Sequence, residues 1–163
     1  MNIKISSVTA YTFLTIASVL HNTEETLTMK GYAVDSPFAF IQPPTYRQFL
    51  VAVSILTLVV IFAFILAIRT KNPKTYLFIS TAIASALLLN VLVPHLMVAL
   101  YTFRYTPGLV SAVLLIFPLS TVVLVKNKRM YASLKQMLSY IVTGLAAGYV
   151  LFAAVIFLAR LVK

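Results

Sequence analysis

Residues 48–68 read QFLVAVSILTLVVIFAFILAI, twenty-one residues without one charge, proline or glycine. An α-helix rises about 1.5 Å per residue, so this stretch spans about 30 Å, the hydrocarbon thickness of a bilayer. It predicts a transmembrane helix. Four more apolar segments flank it in the 163-residue chain. They cover about 5–29, rich in Ser and Thr; 76–103, with Asn90, Pro94 and His95; 108–125, with Pro118 inside; and 137–159. A span needs roughly 17–25 residues. The third segment is longer, and Pro94 predicts a kink or tilt within it. Lys4 followed by an apolar run gives the first segment the look of a signal peptide. No small-x-small cleavage site follows, so it is expected to persist as a helix.

The whole composition agrees. The chain is 61% hydrophobic and 10% charged, with a mean hydropathy of +1.00. Ordinary soluble domains are about half apolar and about a quarter charged. A soluble globular domain and a disordered chain are both excluded. The expected fold is an all-α polytopic membrane bundle, one transmembrane domain over residues 1–163 with five helices. Cysteine is absent, which removes disulfides, thiolate nucleophiles, Cys-ligated zinc and iron–sulfur clusters. With no tryptophan, nine Tyr and eleven Phe must supply any interfacial belt.

Thirteen Lys and Arg face three acids. The basic residues sit in short connections between apolar runs, so they report topology rather than nucleic-acid binding. One side would hold Lys4, Arg69, Lys71, Lys74, Lys126, Lys128, Arg129 and Lys135; the other Lys30, Arg47, Arg104, Arg160 and Lys163. The eight-to-five bias places the N-terminus in the cytoplasm, and a bacterial cytoplasmic membrane is the expected location. The segment 30–47 is rich in proline and aromatic residues. It suits either a lid over a site or a plain interfacial connection.

The acids, Glu24, Glu25 and Asp35, lie within twelve residues, and the only histidines are His21 and His95. Carboxylate or imidazole chemistry must draw on these five. In His21-Asn22-Thr23-Glu24-Glu25, positions i, i+3 and i+4 share a helix face, and Ser7, Tyr11 and Ser18 extend the polar stripe. Such a stripe must face protein or a wet cavity, because lipid offers polar groups no partner. The plainer alternative ends the helix near Leu20 and leaves HNTEE as a solvated cap. Counted along their helices, His21 lies about 24 Å from Ile5, and Asn90 and His95 about 21 and 28 Å from Tyr76. In an up-and-down bundle these depths match, in the outer half of the membrane. Asn90 and His95 are five apart, about 140° out of phase on an ideal helix, and share a face only if Pro94 distorts the turn.

Tyr105-Thr106-Pro107-Gly108 forms a turn ahead of a helix N-terminus, whose free amides could hold an anionic group or oxyanion. Gly144 and Gly148 form GxxxG, a close-packing device within the bundle or in a homodimer.

The His21-x-x-Glu24-Glu25 motif near the start of a small multi-span chain resembles the HXXEE-domain membrane proteins. That family has further Asn/His and Pro-Gly elements, which Asn90, His95 and Pro107-Gly108 resemble. The resemblance implies a shared site; it does not imply a named reaction.

His21, His95 and Glu24 or Glu25 would make two imidazoles and a carboxylate, the habitual ligand set of catalytic zinc. The remaining glutamate would serve as general base, and Asn90 or the amides near Gly108 would steady an oxyanion. This predicts a zinc-dependent membrane enzyme, hydrolase-like, acting on a lipid or other small apolar substrate. HExxH spacing is absent. Two other readings stay open: metal-free acid–base chemistry on a lipid or sterol, and a non-enzymatic lipid binder, proton-coupled carrier or metal-handling protein.

Overall fold

A computed structural model describes residues 5–30 and 44–161. The segment proposed as a lid falls mainly on 31–43, outside the described residues, as does Asp35. Five helices follow in order: α1 Ile5–Met29, α2 Tyr46–Arg69, α3 Pro73–Thr102, α4 Leu109–Lys128 and α5 Leu134–Arg160. No strand occurs among the described residues. The last four are long and apolar enough to cross a membrane. The equally long α1 is more polar and packs beside them. The chain is an all-α integral membrane bundle.

Helix ends are set by local capping, which places several boundaries a few residues from the hydropathy limits. Thr45 accepts a hydrogen bond from Gln48 N, while Gln48 Oε1 accepts one from Thr45 N, so α2 starts at Tyr46. Asn72 caps α3, with Pro73 in its first turn. Ser133 accepts from Gln136 N and starts α5 at Leu134.

α3 is the central element and touches all four others. α1 packs between α2 and α4, and α5 lies against α2 and α3. Tyr11, Leu14, Tyr76, Leu77, Ile116 and Val123 are among the fully enclosed core residues. The outer faces carry Phe13, Leu58, Phe62, Val142 and Phe157, all exposed. Apolar residues outside and polar residues inside are what a lipid solvent selects. The polar stripe on α1 fits this pattern: Ser7, Thr15, Ser18 and His21 are all buried.

The GxxxG pair works inside the chain. A Cβ on Gly144 would lie 2.6 Å from Ala82 Cα on α3, and one on Gly148 would lie 3.5 Å from Ala86 Cβ. Small residues on both helices let the α5 and α3 backbones approach closely.

α3 is not a continuous α-helix. Val93 has φ −138° and ψ 113°, ahead of Pro94, and the Val93–Pro94 peptide is cis. Proline supplies no backbone donor and disfavours helical geometry at the preceding residue. In α4 a wide π-type turn covers Ala112–Ile116. Such turns shift the face that later residues present.

Candidate metal centre

The break at Val93 resolves the phase problem between Asn90 and His95. Both reach the same point on α1: Asn90 Nδ2 lies 3.4 Å from His21 Nε2 and 3.2 Å from His95 Nε2. The two imidazole rings meet edge to face, with centroids 4.8 Å apart. His21 and His95 are only 1% and 3% exposed.

Glu25 completes the group. Its Oε1 is 3.2 Å from His95 Nε2 and 3.6 Å from His21 Nε2. One ligand atom from each of His21, Glu25 and His95 lies within 4.8 Å of the other two. Tetrahedral zinc with bonds of about 2.0–2.1 Å holds its ligand atoms about 3.3 Å apart. The two separations from Glu25 are close to that value, and the donors fit the ion in number and type.

Ser111, at the start of α4, sets the state of one imidazole. Its Oγ donates to Gly108 O at 3.3 Å and lies 3.0 Å from His21 Nδ1. With its proton directed to Gly108 O, the hydroxyl would accept from the ring. His21 would then carry its proton on Nδ1, and its Nε2 faces Glu25, His95 and Asn90. This arrangement typically orients histidine ligands of metals. Sequence reasoning did not single out Ser111. Its hydroxyl lies 90 positions from His21, and nothing local marks it.

The two glutamates, grouped as interchangeable ligands or bases from sequence, have different partners. Glu24 turns to the N-terminus of α4. Its Oε2 accepts from Ser111 N at 2.8 Å, and its Oε1 accepts from Val110 N at 3.2 Å and from Tyr105 Oη at 2.7 Å. A carboxylate suits this position, since helix N-terminal amides are unpaired donors at the positive end of the dipole. The amides expected to hold an oxyanion thus hold Glu24 itself. Burial first, and then the Glu24 carboxylate, raise the Tyr105 phenol above its ordinary value, against an opposing hydrogen bond with Thr28. Tyr105 accordingly stays a donor.

Gly108 closes the site. Its φ is +80°, a conformation that favours glycine. A Cβ there would lie 2.5 Å from Glu25 Cγ, 2.8 Å from His21 Cε1 and 3.1 Å from His95 Cε1. The backbone of the 106–108 turn is thus pressed against all three side chains of the centre. Asn22, on another face of α1, donates to Thr57 Oγ1 at 2.6 Å and ties α1 to α2.

Fold and site together define a helical integral membrane protein with a centre of two buried histidines and one partly buried carboxylate. The chain belongs to the family of proteins of unknown function with an HXXEE motif, which matches residues 12–123. It is similar to the uncharacterized protein YrkK of Bacillus subtilis (strain 168), with 24% identity over 147 residues, covering 88% of this chain and 89% of that one. No solved structure matches it significantly.

Proposed function

We propose that this protein is a zinc-dependent membrane enzyme, hydrolase-like, acting on a lipid or other apolar substrate in the outer half of a bacterial cytoplasmic membrane. The N-terminus would be cytoplasmic. The observation that carries the reading is the meeting of the chain's only two histidines with Glu25, whose Oε1 lies 3.2 and 3.6 Å from their Nε2 atoms. Zinc held by three ligands keeps a position for water and makes that water a nucleophile near neutral pH.

The residues divide the work. Ser111, 3.0 Å from His21 Nδ1, would hold the ring in the tautomer that leaves Nε2 to ligate. His95 and Glu25 Oε1 would supply the other two ligand atoms, and the second carboxylate oxygen of Glu25 would be the group to accept a proton from water. The Asn90 amide lies beside both imidazoles and would orient a reacting oxygen there. Glu24 keeps the start of α4 in place.

The decisive experiment is metal analysis of the purified protein beside His21→Ala, together with lipid turnover in wild-type and Glu25→Gln vesicles. About one zinc per wild-type chain, lost in His21→Ala, supports the reading. Full occupancy retained in His21→Ala would sink it. The 3.2 Å approach of His95 to Glu25 also favours a second reading, in which the pair shares a proton and performs metal-free acid–base chemistry. Lipid turnover by metal-free protein selects that alternative.

A further inference from the structure

The outer end of α3 is held differently from the rest of the helix. Before the break at Val93, Tyr76, Leu77, Ser80, Thr81, Ala84 and Ser85 are all buried. After it, Met97–Thr102 has no buried residue and packs chiefly on the turn before it, not on a neighbouring helix. Leu100, Tyr101 and Phe103 are 68%, 71% and 91% exposed. Non-helical backbone bounds the segment 94–107 at both ends, at Val93 and at Gly108 with its φ of +80°. Between them Phe103 has φ 52°, a left-handed conformation uncommon for a bulky residue.

The polar contacts of this arm lie at its base, and they lead to α1. His95 Nε2 is 3.2 Å from Glu25 Oε1, and Tyr105 Oη donates to Glu24 Oε1 at 2.7 Å. Thr106 Oγ1 donates to His95 O at 3.4 Å and links the two limbs of the arm. Of the three candidate ligands, His21 and Glu25 stand on α1, and His95 alone stands on the arm. An ion held by all three therefore joins the arm to α1. The histidines are only 1% and 3% exposed, so an element must move before an ion can reach both rings. Segments with few buried apolar contacts open most readily, and the arm is built that way.

We infer that residues 94–107 form a hinged strap that opens to admit the metal and is locked shut once the metal is bound. This rests on the zinc reading and adds a conformational response to it. A ligand that binds only the closed form favours that form by mass action, by about 100-fold in population at a hundred times its Kd. Opening uncovers no buried side chain of Met97–Thr102, so little packing opposes it. Closing also seats the end of the strap on the centre, where the Gly108 backbone lies against Glu25, His21 and His95.

The test is hydrogen exchange, read by mass spectrometry on the whole protein in phosphatidylcholine nanodiscs, with zinc chloride or with EDTA. Metal content is measured on the same samples. Backbone amides of 97–105 should exchange at least about tenfold more slowly with zinc. Those of 126–133, at the opposite end of the bundle, should be unchanged. His95→Ala detaches the ion from the strap and should abolish the difference. Zinc bound without slowing at 97–105, equal slowing at 126–133, or slowing that persists in His95→Ala overturns the strap and leaves the zinc reading standing. Wild type that binds no zinc overturns both.

Discussion

Glu24 Oε2 accepts a 2.8 Å hydrogen bond from Ser111 N, 87 residues away in sequence. Its neighbour Glu25 instead faces two imidazoles. The HXXEE motif is therefore two devices in adjacent positions: one carboxylate caps a helix of another segment, and one completes the candidate centre.

Glu24→Gln should keep zinc stoichiometry while losing about 1–3 kcal/mol of stability, the scale of hydrogen bonds to a charged acceptor. Glu25→Gln should weaken zinc binding by at least the 10–100-fold typical of losing an outer partner. Metal titration and thermal melts on both variants check the division. Equal zinc loss in the two would erase it.

Gly108→Ala should disrupt the centre from the backbone side. The φ of +80° opposes a side chain, costing about 1–2 kcal/mol. The added methyl also collides with Glu25 and His21. Expected are a lower melting temperature and reduced zinc content. A variant equal to wild type in both would show that the turn can move aside.

Gly144 and Gly148 should respond unequally. Gly144→Ala drives a Cβ to within 2.6 Å of the Ala82 backbone, an overpacking worth about 1–3 kcal/mol. Gly148→Ala meets only an ordinary contact at 3.5 Å and gains helix propensity, up to about 1 kcal/mol. Melting temperatures of the two single variants decide this; a loss from Gly148→Ala as large as that from Gly144→Ala counts against the packing account.

The tie between Tyr105 and Glu24 carries a pH signature. A phenol whose folded pKa is raised stabilises the fold fully below its unfolded value, and that stability fades as pH rises through the folded value. Wild type should therefore lose stability on the alkaline side, above the ordinary tyrosine range, and Tyr105→Phe should lose less. Melts from neutral to alkaline pH test it, and parallel curves would show that the bond has no part in stability.

Topology has its own check. Lys71 and Lys128 lie at the ends of α3 and α4 that meet, where Asn127 bonds to Ser80. Reporter fusions at both should read cytoplasm. Opposite sides would contradict the fold, and a periplasmic result for both would invert only the orientation.

What the sequence by itself determined was whatever depends on neighbours along the chain. Five helices, their lipid-facing surfaces and the buried stripe from Ser7 to His21 follow from hydropathy and the 3.6-residue repeat, because a bilayer imposes one rule on every span. Matching depths for His21, Asn90 and His95 followed from rise per residue alone. The tertiary structure decided azimuth and partnership. Glu24 and Glu25 are about 100° apart on α1, so which one meets the histidines depends on where α4 packs. Asn90 and His95 share a face because Val93 leaves helical geometry, an angular change that Pro94 announces but does not specify. Ser111 and Gly108 reach the centre through a turn and a wide helical segment. The GxxxG pair chose α3 because Ala82 and Ala86 leave it room there. Each of these is a contact between residues far apart in the chain, and no local pattern encodes the rotation of one helix against another.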